Sequence, residues 1–148
     1  MAGMIDVSHK KSTLRIALAR GYMKLPPAAI LLIKKQEIHT PKGPVFNTAI
    51  LAGTQAVKKT ADLLPYCHPI PLEAIKITIH ILKAGRLQID GEVKAFAKTG
   101  VEMEALCGVS IAALTIYDML KYLSSATQIE KIVLIKKTGG KRDYEYRN

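Results

Sequence analysis

An α+β fold, with helices packed on one face of an antiparallel sheet, is predicted by three features of this chain. Leu72 to Leu82 alternates, with Ile75, Ile77, Ile79 and Ile81 on one side and Lys76, Thr78 and His80 on the other. Arg86 to Ala97 alternates likewise, with Leu87, Ile89, Val93 and Ala95 inward, and only Lys83-Ala84-Gly85 separates the two runs. Such a pair reads as an antiparallel hairpin whose strands are each half-buried. The third feature is the run that follows: Val101 to about Leu123 is one long helix by composition, and Ile129 to Lys137 a closing strand.

The remaining elements fill in around these. Met4 to Ala19 is polar and basic with no clear period, so residues 1–19 read as an N-terminal arm. Gly21 to Leu25 is a first strand, and Pro26-Pro27 suits the opening turn of a helix, where a missing N–H costs nothing. Ala28 to Lys35 continues that helix. Gln36 to Gly43, with Pro41 and Gly43, is a loop by its turn chemistry. Pro44 opens the next helix, Val45 to about Leu63, which Pro65 stops. Ala49, Ala52, Gly53 and Ala56 give this helix a small-residue face for close packing. Residues 138–148, with Gly139-Gly140, read as a mobile basic tail. The order strand, helices, hairpin, long helix, strand resembles a split β-α-β unit of the ferredoxin-like kind.

With 148 residues the chain is a single domain able to bury one core, and with no Trp that core must be aliphatic. The formal charge of +10 points to an anionic partner: nucleic acid, an anionic membrane surface or a polyphosphate. Cys67 and Cys107 make at most one disulfide. Met1 to Lys11 has no apolar core of a signal peptide, and the apolar runs are too short to span a bilayer, so the expected location is cytoplasmic with no membrane partner.

Charge within the long helix carries most of the chemistry. Glu102, Glu104, Asp118 and Lys121 stand among residues apolar enough to be buried, and desolvating a charge is costly unless it is paired or lines a site. At about 100° per residue, Glu104, Cys107, Ile111, Thr115 and Lys121 fall within roughly 60° of Asp118. Asp118 and Lys121 are i,i+3 neighbours able to share one site; the plain alternative is a solvated ion pair. Glu104 and Asp118 lie about 21 Å apart along the axis. No small substrate touches both from the same helix, so either one is structural or a second subunit brings the two ends together.

Elsewhere, Tyr66-Cys67-His68-Pro69 is a rigid, proline-flanked turn that can hold an imidazole for acid–base work near neutrality. Adjacent Cys67 and His68 diverge in extended backbone, and without a second spaced pair zinc is disfavoured. Lys42-Gly43 leads into a helix N-terminus whose free N–H groups would suit an anion. Lys136, Lys137 and Lys141 around Gly139-Gly140 are either a solvated tail or a phosphate clamp.

Several segments together resemble one family. They are Met4-Ile5-Asp6-Val7-Ser8 with Thr13 and Arg15, then Lys42-Gly43, and Ala52-Gly53 ahead of Lys58 and Lys59. Leu64-Pro65-Tyr66-Cys67-His68-Pro69 follows, then Thr99-Gly100-Val101-Glu102-Met103-Glu104-Ala105-Leu106. Ala113-Leu114-Thr115-Ile116-Tyr117-Asp118-Met119 with Lys121, and Lys137 before Gly139-Gly140-Lys141, complete the set. In this order they resemble cyclic pyranopterin monophosphate synthase, the second enzyme of molybdenum cofactor biosynthesis.

The resemblance implies a cyclic dihydroguanosine triphosphate substrate, made from GTP by a radical S-adenosylmethionine enzyme, and a cyclic pyranopterin monophosphate product with pyrophosphate released. It implies no metal or organic cofactor. It also implies a ferredoxin-like subunit in a hexamer, a trimer of dimers, with sites at subunit boundaries. Carried over by residue, Lys42, Asp118 and Lys121 match catalytic positions and His68 the active-site histidine. Glu102 and Glu104 match paired acids, Cys67 stands beside His68 in the substrate-binding motif, and Arg15 and Lys137 match basic binding positions. Pro44 departs from the pattern, standing where an acidic residue usually follows Lys-Gly. A rival reading, an RNA-binding ferredoxin-like module, would need exposed strand aromatics, and the hairpin offers only Phe96. A purely structural oligomer would leave the charged helix face unexplained.

Overall fold

A computed structural model describes residues 2–147. Its elements are β1 (Thr13–Lys24), α1 (Pro27–Ile30), β2 (His39–Thr40), β3 (Gly43–Pro44), α2 (Val45–Lys58) and α3 (Thr60–Leu63), then β4 (Leu72–Ile81), β5 (Arg86–Ala97), α4 (Glu102–Leu120), β6 (Gln128–Thr138) and β7 (Tyr144–Glu145). The main sheet has the order β4-β5-β1-β6-β7 and every pairing is antiparallel. Since β1 opposes both neighbours, β5 and β6 run parallel, and α4 is the crossover between them. This is the expected split β-α-β arrangement.

The hairpin pairs as its alternation requires, Ile79 with Ile89 and Ile75 with Val93. Helices α2 and α4 cover the sheet face formed by Ala17, Ala19 and Met23 of β1 and Leu87, Ile89, Val93 and Ala95 of β5, all buried. The small-residue face of α2 does what its composition suggests. A Cβ added at Gly53 would stand 2.7 Å from the Gly108 carbonyl oxygen, so the two helices touch backbone to backbone. Close approach of this kind brings α4 down onto the sheet and fixes the height of its two ends.

Four expectations change. The first strand begins at Thr13, so Thr13 to Ala19 is sheet and not arm; the buried positions ahead of Met23 are Ala17, Ala19 and Gly21, too small to produce a visible hydrophobic alternation. The first helix is one turn, because Lys34 to Glu37 closes a tight turn in which Lys35 and Gln36 take left-handed angles. The second helix is interrupted at Lys59, whose backbone leaves the helical region. The tail is tied down in part: Tyr144 and Glu145 pair with Lys137 and Lys136. In addition, α4 is, by length and composition alone, apolar enough to cross a membrane. Its inward face lies in the core, where Val109, Ala112, Ala113 and Ile116 are buried.

Among the described residues, the other sheet face carries no helix. There Arg20 clasps Asp90 through two hydrogen bonds of 2.7 and 3.0 Å. Arg86 lies 5.1 Å above the Tyr22 ring and Lys131 4.8 Å from that of Tyr146. These rings are occupied by the chain's own cations, unlike the free platforms on which RNA bases stack.

Candidate active site

The charged residues of α4 gather into two clusters, one at each end of the helix. At the C-terminal end, Asp118 accepts from Lys121 Nζ at 2.7 Å and from Lys42 Nζ at 2.7 Å, one on each carboxylate oxygen. The i,i+3 spacing delivers Lys121; the β2–β3 hairpin delivers Lys42 from across the fold. Hydrogen bonds from Lys121 and then Lys42 hold the Asp118 carboxyl at about 2. The same Asp118 contact raises Lys121 above the ordinary lysine value. The pairing favours the ammonium form of Lys121.

At the N-terminal end, Lys137 Nζ donates to Glu102 at 2.8 Å. Burial works to raise the Glu102 carboxyl, but the Lys137 hydrogen bond, with that ion's charge and Arg15's, brings it below its usual value. Glu104, one step further along, is 4% exposed. Burial raises its carboxyl, and the Glu102 charge adds to the effect. Burial also raises the Cys67 thiol, helped by Glu104 and Cys107. His68 Nε2 donates to the Ile5 carbonyl at 2.8 Å, which ties the arm to the site. Arg15 donates Nη2 to the Lys98 carbonyl at 3.1 Å, while its buried Nε has no partner among the described residues.

Two adjoining cavities open here, with Glu102 and Lys10 in the wall of both. The larger, about 690 Å³, is lined by Arg15, Lys137, Lys141, Arg142, Lys10 and Lys11, a set of six cations around one carboxylate. The smaller, about 350 Å³, holds Cys67, His68, Glu102 and Glu104 under Ile5 and Val7 of the arm. A cavity so charged suits a polyphosphate beside a polar ring system. Gly139 shapes the larger one: it has φ 93°, and a Cβ there would collide with the Leu14 carbonyl.

Residues 4–140 match the MoaC family over most of the chain. The chain belongs to the MoaC family. It is 51% identical over 144 residues to a molybdenum cofactor biosynthesis bifunctional protein of Synechocystis sp., covering 95% of this chain and 42% of that protein. It is also 51% identical to the cyclic pyranopterin monophosphate synthase of Nostoc sp., covering 95% of this chain and 83% of that one. A protein of the same name from Xanthomonas campestris pv. campestris is 44% identical, with 95% and 85% covered. The chain thus spans less than half of the Synechocystis protein and most of the other two.

Within this MoaC-family chain, the nine residues singled out from sequence fall into the two clusters. Lys42, Asp118 and Lys121 meet at one end of α4, and Arg15, Cys67, His68, Glu102, Glu104 and Lys137 at the other. The two cavities described above reach only the second group. One expectation is overturned: the α2 N-terminus is not open to an anion, because the Glu37 carboxylate accepts from the N–H groups of Phe46 and Asn47 at 2.8 and 3.1 Å. Sequence reading missed Glu37, which is distant from the helix it caps, and missed Lys10 and Lys11 as cavity residues.

The buried acid makes a prediction. A carboxyl raised on folding leaves stability fully present below its unfolded value, near 4.5, and removes it as pH rises through the folded value. Glu104→Gln, which does not titrate, is expected to be more stable than the parent at pH 8 by about 1 kcal/mol, with the gap closing by pH 4. Thermal unfolding across that range measures it; a gap independent of pH would exclude a strained Glu104 carboxylate.

Proposed function

We propose that this chain is a cyclic pyranopterin monophosphate synthase, a pyrophosphate-releasing lyase. In this reading it converts (8S)-3',8-cyclo-7,8-dihydroguanosine 5'-triphosphate to cyclic pyranopterin monophosphate. The names of its relatives support it, and one observation carries it: a triphosphate-sized basic cavity and a lysine–carboxylate cluster sit at opposite ends of a single helix. The phosphate chain lies among Arg15, Lys137 and Lys141, which stabilise charge on the departing pyrophosphate. As the bond between the α-phosphorus and the bridging oxygen breaks, a ring hydroxyl bonds to that phosphorus and closes the cyclic monophosphate. Asp118 and Lys121 move protons during ring rearrangement, Lys42 serves in acid–base or phosphate duty, and His68, Cys67, Glu102 and Glu104 bind the ring system.

These two clusters complete each other only across a subunit boundary. The exposed side of α4, which carries Asp118, also bears Met103 and Leu114, exposed by 43% and 53%, and apolar side chains of that size beside the charges suit a face that another chain covers. Ile111 is equidistant in sequence from Glu104 and Asp118. Antiparallel pairing of two α4 helices about a two-fold axis there would set the Glu104 end of one subunit against the Asp118 end of the other. A hexamer built as a trimer of such dimers, working in the cytoplasm beside a radical S-adenosylmethionine GTP cyclase, fits this reading, with no metal, organic cofactor, nucleic acid or membrane involved.

The test is a single-turnover assay with the cyclic dihydro-GTP, following pyrophosphate and, after oxidation, pterin fluorescence. Both products appear together if the reading is right. Silence from a folded oligomer would refute it.

A further inference from the structure

Lys42 is placed by an unusual route. Just before its hairpin, Lys35 and Gln36 adopt φ of 50° and 64° in succession. They form the tip of a turn in which Lys34 and Glu37 exchange backbone hydrogen bonds of 2.8 and 3.0 Å. Neither residue is a glycine, side chains of L residues rarely take these angles, and the surrounding structure must hold them there.

What that turn delivers is the Glu37 carboxylate. Its Oε1 accepts from the N–H groups of Ile38 and Phe46, each at 2.8 Å, and Oε2 from that of Asn47 at 3.1 Å. The preceding N–H of α2, from Val45, goes to the Ile38 carbonyl at 2.9 Å. Pro44 occupies the N-cap position and has no side-chain acceptor. A cap residue normally satisfies these N–H groups from that position. Here Glu37, two residues before β2, does so, and one carboxylate joins both legs of the loop that carries Lys42. Inside the loop, Thr40 Oγ1 accepts from Lys42 N–H at 3.1 Å and donates to the Gly43 carbonyl at 3.2 Å.

We propose that Glu37 is a positioning residue for Lys42, locking the β2–β3 hairpin to the start of α2 so that the Lys42 ammonium meets Asp118. The proposal deepens the functional reading above and rests on it for its consequence in turnover, but its structural part stands apart from it. Lys42 hangs from a two-residue-a-strand hairpin that is too small to hold its own geometry. The carboxylate supplies the missing rigidity, and without it the ammonium samples positions away from Asp118.

The experiment compares Glu37→Gln and Glu37→Ala with the parent, each with and without Pro44→Asp, which returns a carboxylate to the N-cap position. Carbon NMR follows the titration of the Asp118 carboxyl, and steady-state kinetics with the cyclic dihydro-GTP give kcat and KM. Expected is an upward move of the Asp118 midpoint and a loss in kcat of about tenfold to a hundredfold, with KM little changed. Pro44→Asp, which caps α2 without tying it to the β2 leg, should restore the melting temperature but neither the Asp118 midpoint nor kcat, and full rescue of both by it would also overturn the proposal. A purely structural cap would lower the melting temperature yet leave the Asp118 titration and kcat at 25 °C unmoved, and that result overturns the proposal. If a variant does not fold, Glu37→Asp, which only shortens the reach, is read by the same criteria. An inactive parent would refute the functional reading, while the Asp118 titration would still decide whether Glu37 holds Lys42.

Discussion

Lys121→Ala should lose pyrophosphate release by on the order of a thousandfold or more while its melting temperature and oligomeric state stay those of the parent. The two halves of this expectation have separate physical origins. Lys121 and Asp118 are 58% and 50% exposed at the side chain. Exposed pairs contribute little to stability, because water solvates the separated ions nearly as well. Asp118 keeps Lys42 as a partner, so the carboxylate remains ionised and the fold loses nothing near neutrality. A carboxyl depressed on folding contributes its stability above its ordinary value of 3.8, and that contribution disappears only as pH falls toward about 2. Turnover has no such reserve: on the proposed mechanism, the ammonium that donates to the rearranging ring is gone. Rapid-quench measurement of pyrophosphate alongside thermal unfolding separates the outcomes. Collapse of the fold would make Lys121 structural; a folded variant at parental rate would remove it from the mechanism. Lys121→Arg keeps the charge but not the compact, titratable ammonium, and should recover little of the rate.

Mixing two inactive variants should restore activity. Glu104→Gln and Asp118→Asn each disable every site in their own homo-oligomers. In oligomers assembled from equal amounts of both, chance pairing leaves about one site in four with an intact Glu104 and an intact Asp118, so about a quarter of the parental turnover returns. Length is the reason: fourteen residues of α-helix separate the two groups by about 21 Å, beyond the span of one small substrate held on one subunit. Recovery near a quarter, measured after joint refolding, would place each site across a boundary. No recovery from mixed oligomers would confine the site to one chain. Full activity of Glu104→Gln alone would show that its buried acid serves packing only.

The hairpin strands and α4 were readable because their buried residues are bulky and regularly spaced, so the period shows. Asp118 and Lys121 were readable as a pair because i,i+3 spacing on a helix enforces proximity. The first strand was read too short because alanine and glycine on its inner face carry almost no hydrophobic signal. Glu37 looked like an ordinary loop acid; its role exists only through N–H groups that arrive from another element.

From local spacing, then, came the α+β architecture, the strand pairing of the hairpin, and the acids and lysine along one helix. These depend on interactions between residues a few positions apart. The contacts of Lys42 with Asp118 and of Lys137 with Glu102 join residues 76 and 35 positions apart. So does the capping of α2 by Glu37, over a shorter span that no helical or strand period describes. Such contacts form only after the helices have packed on the sheet and the strand order has placed each loop, because a charge-bearing tip is positioned by the elements it joins and carries no period of its own.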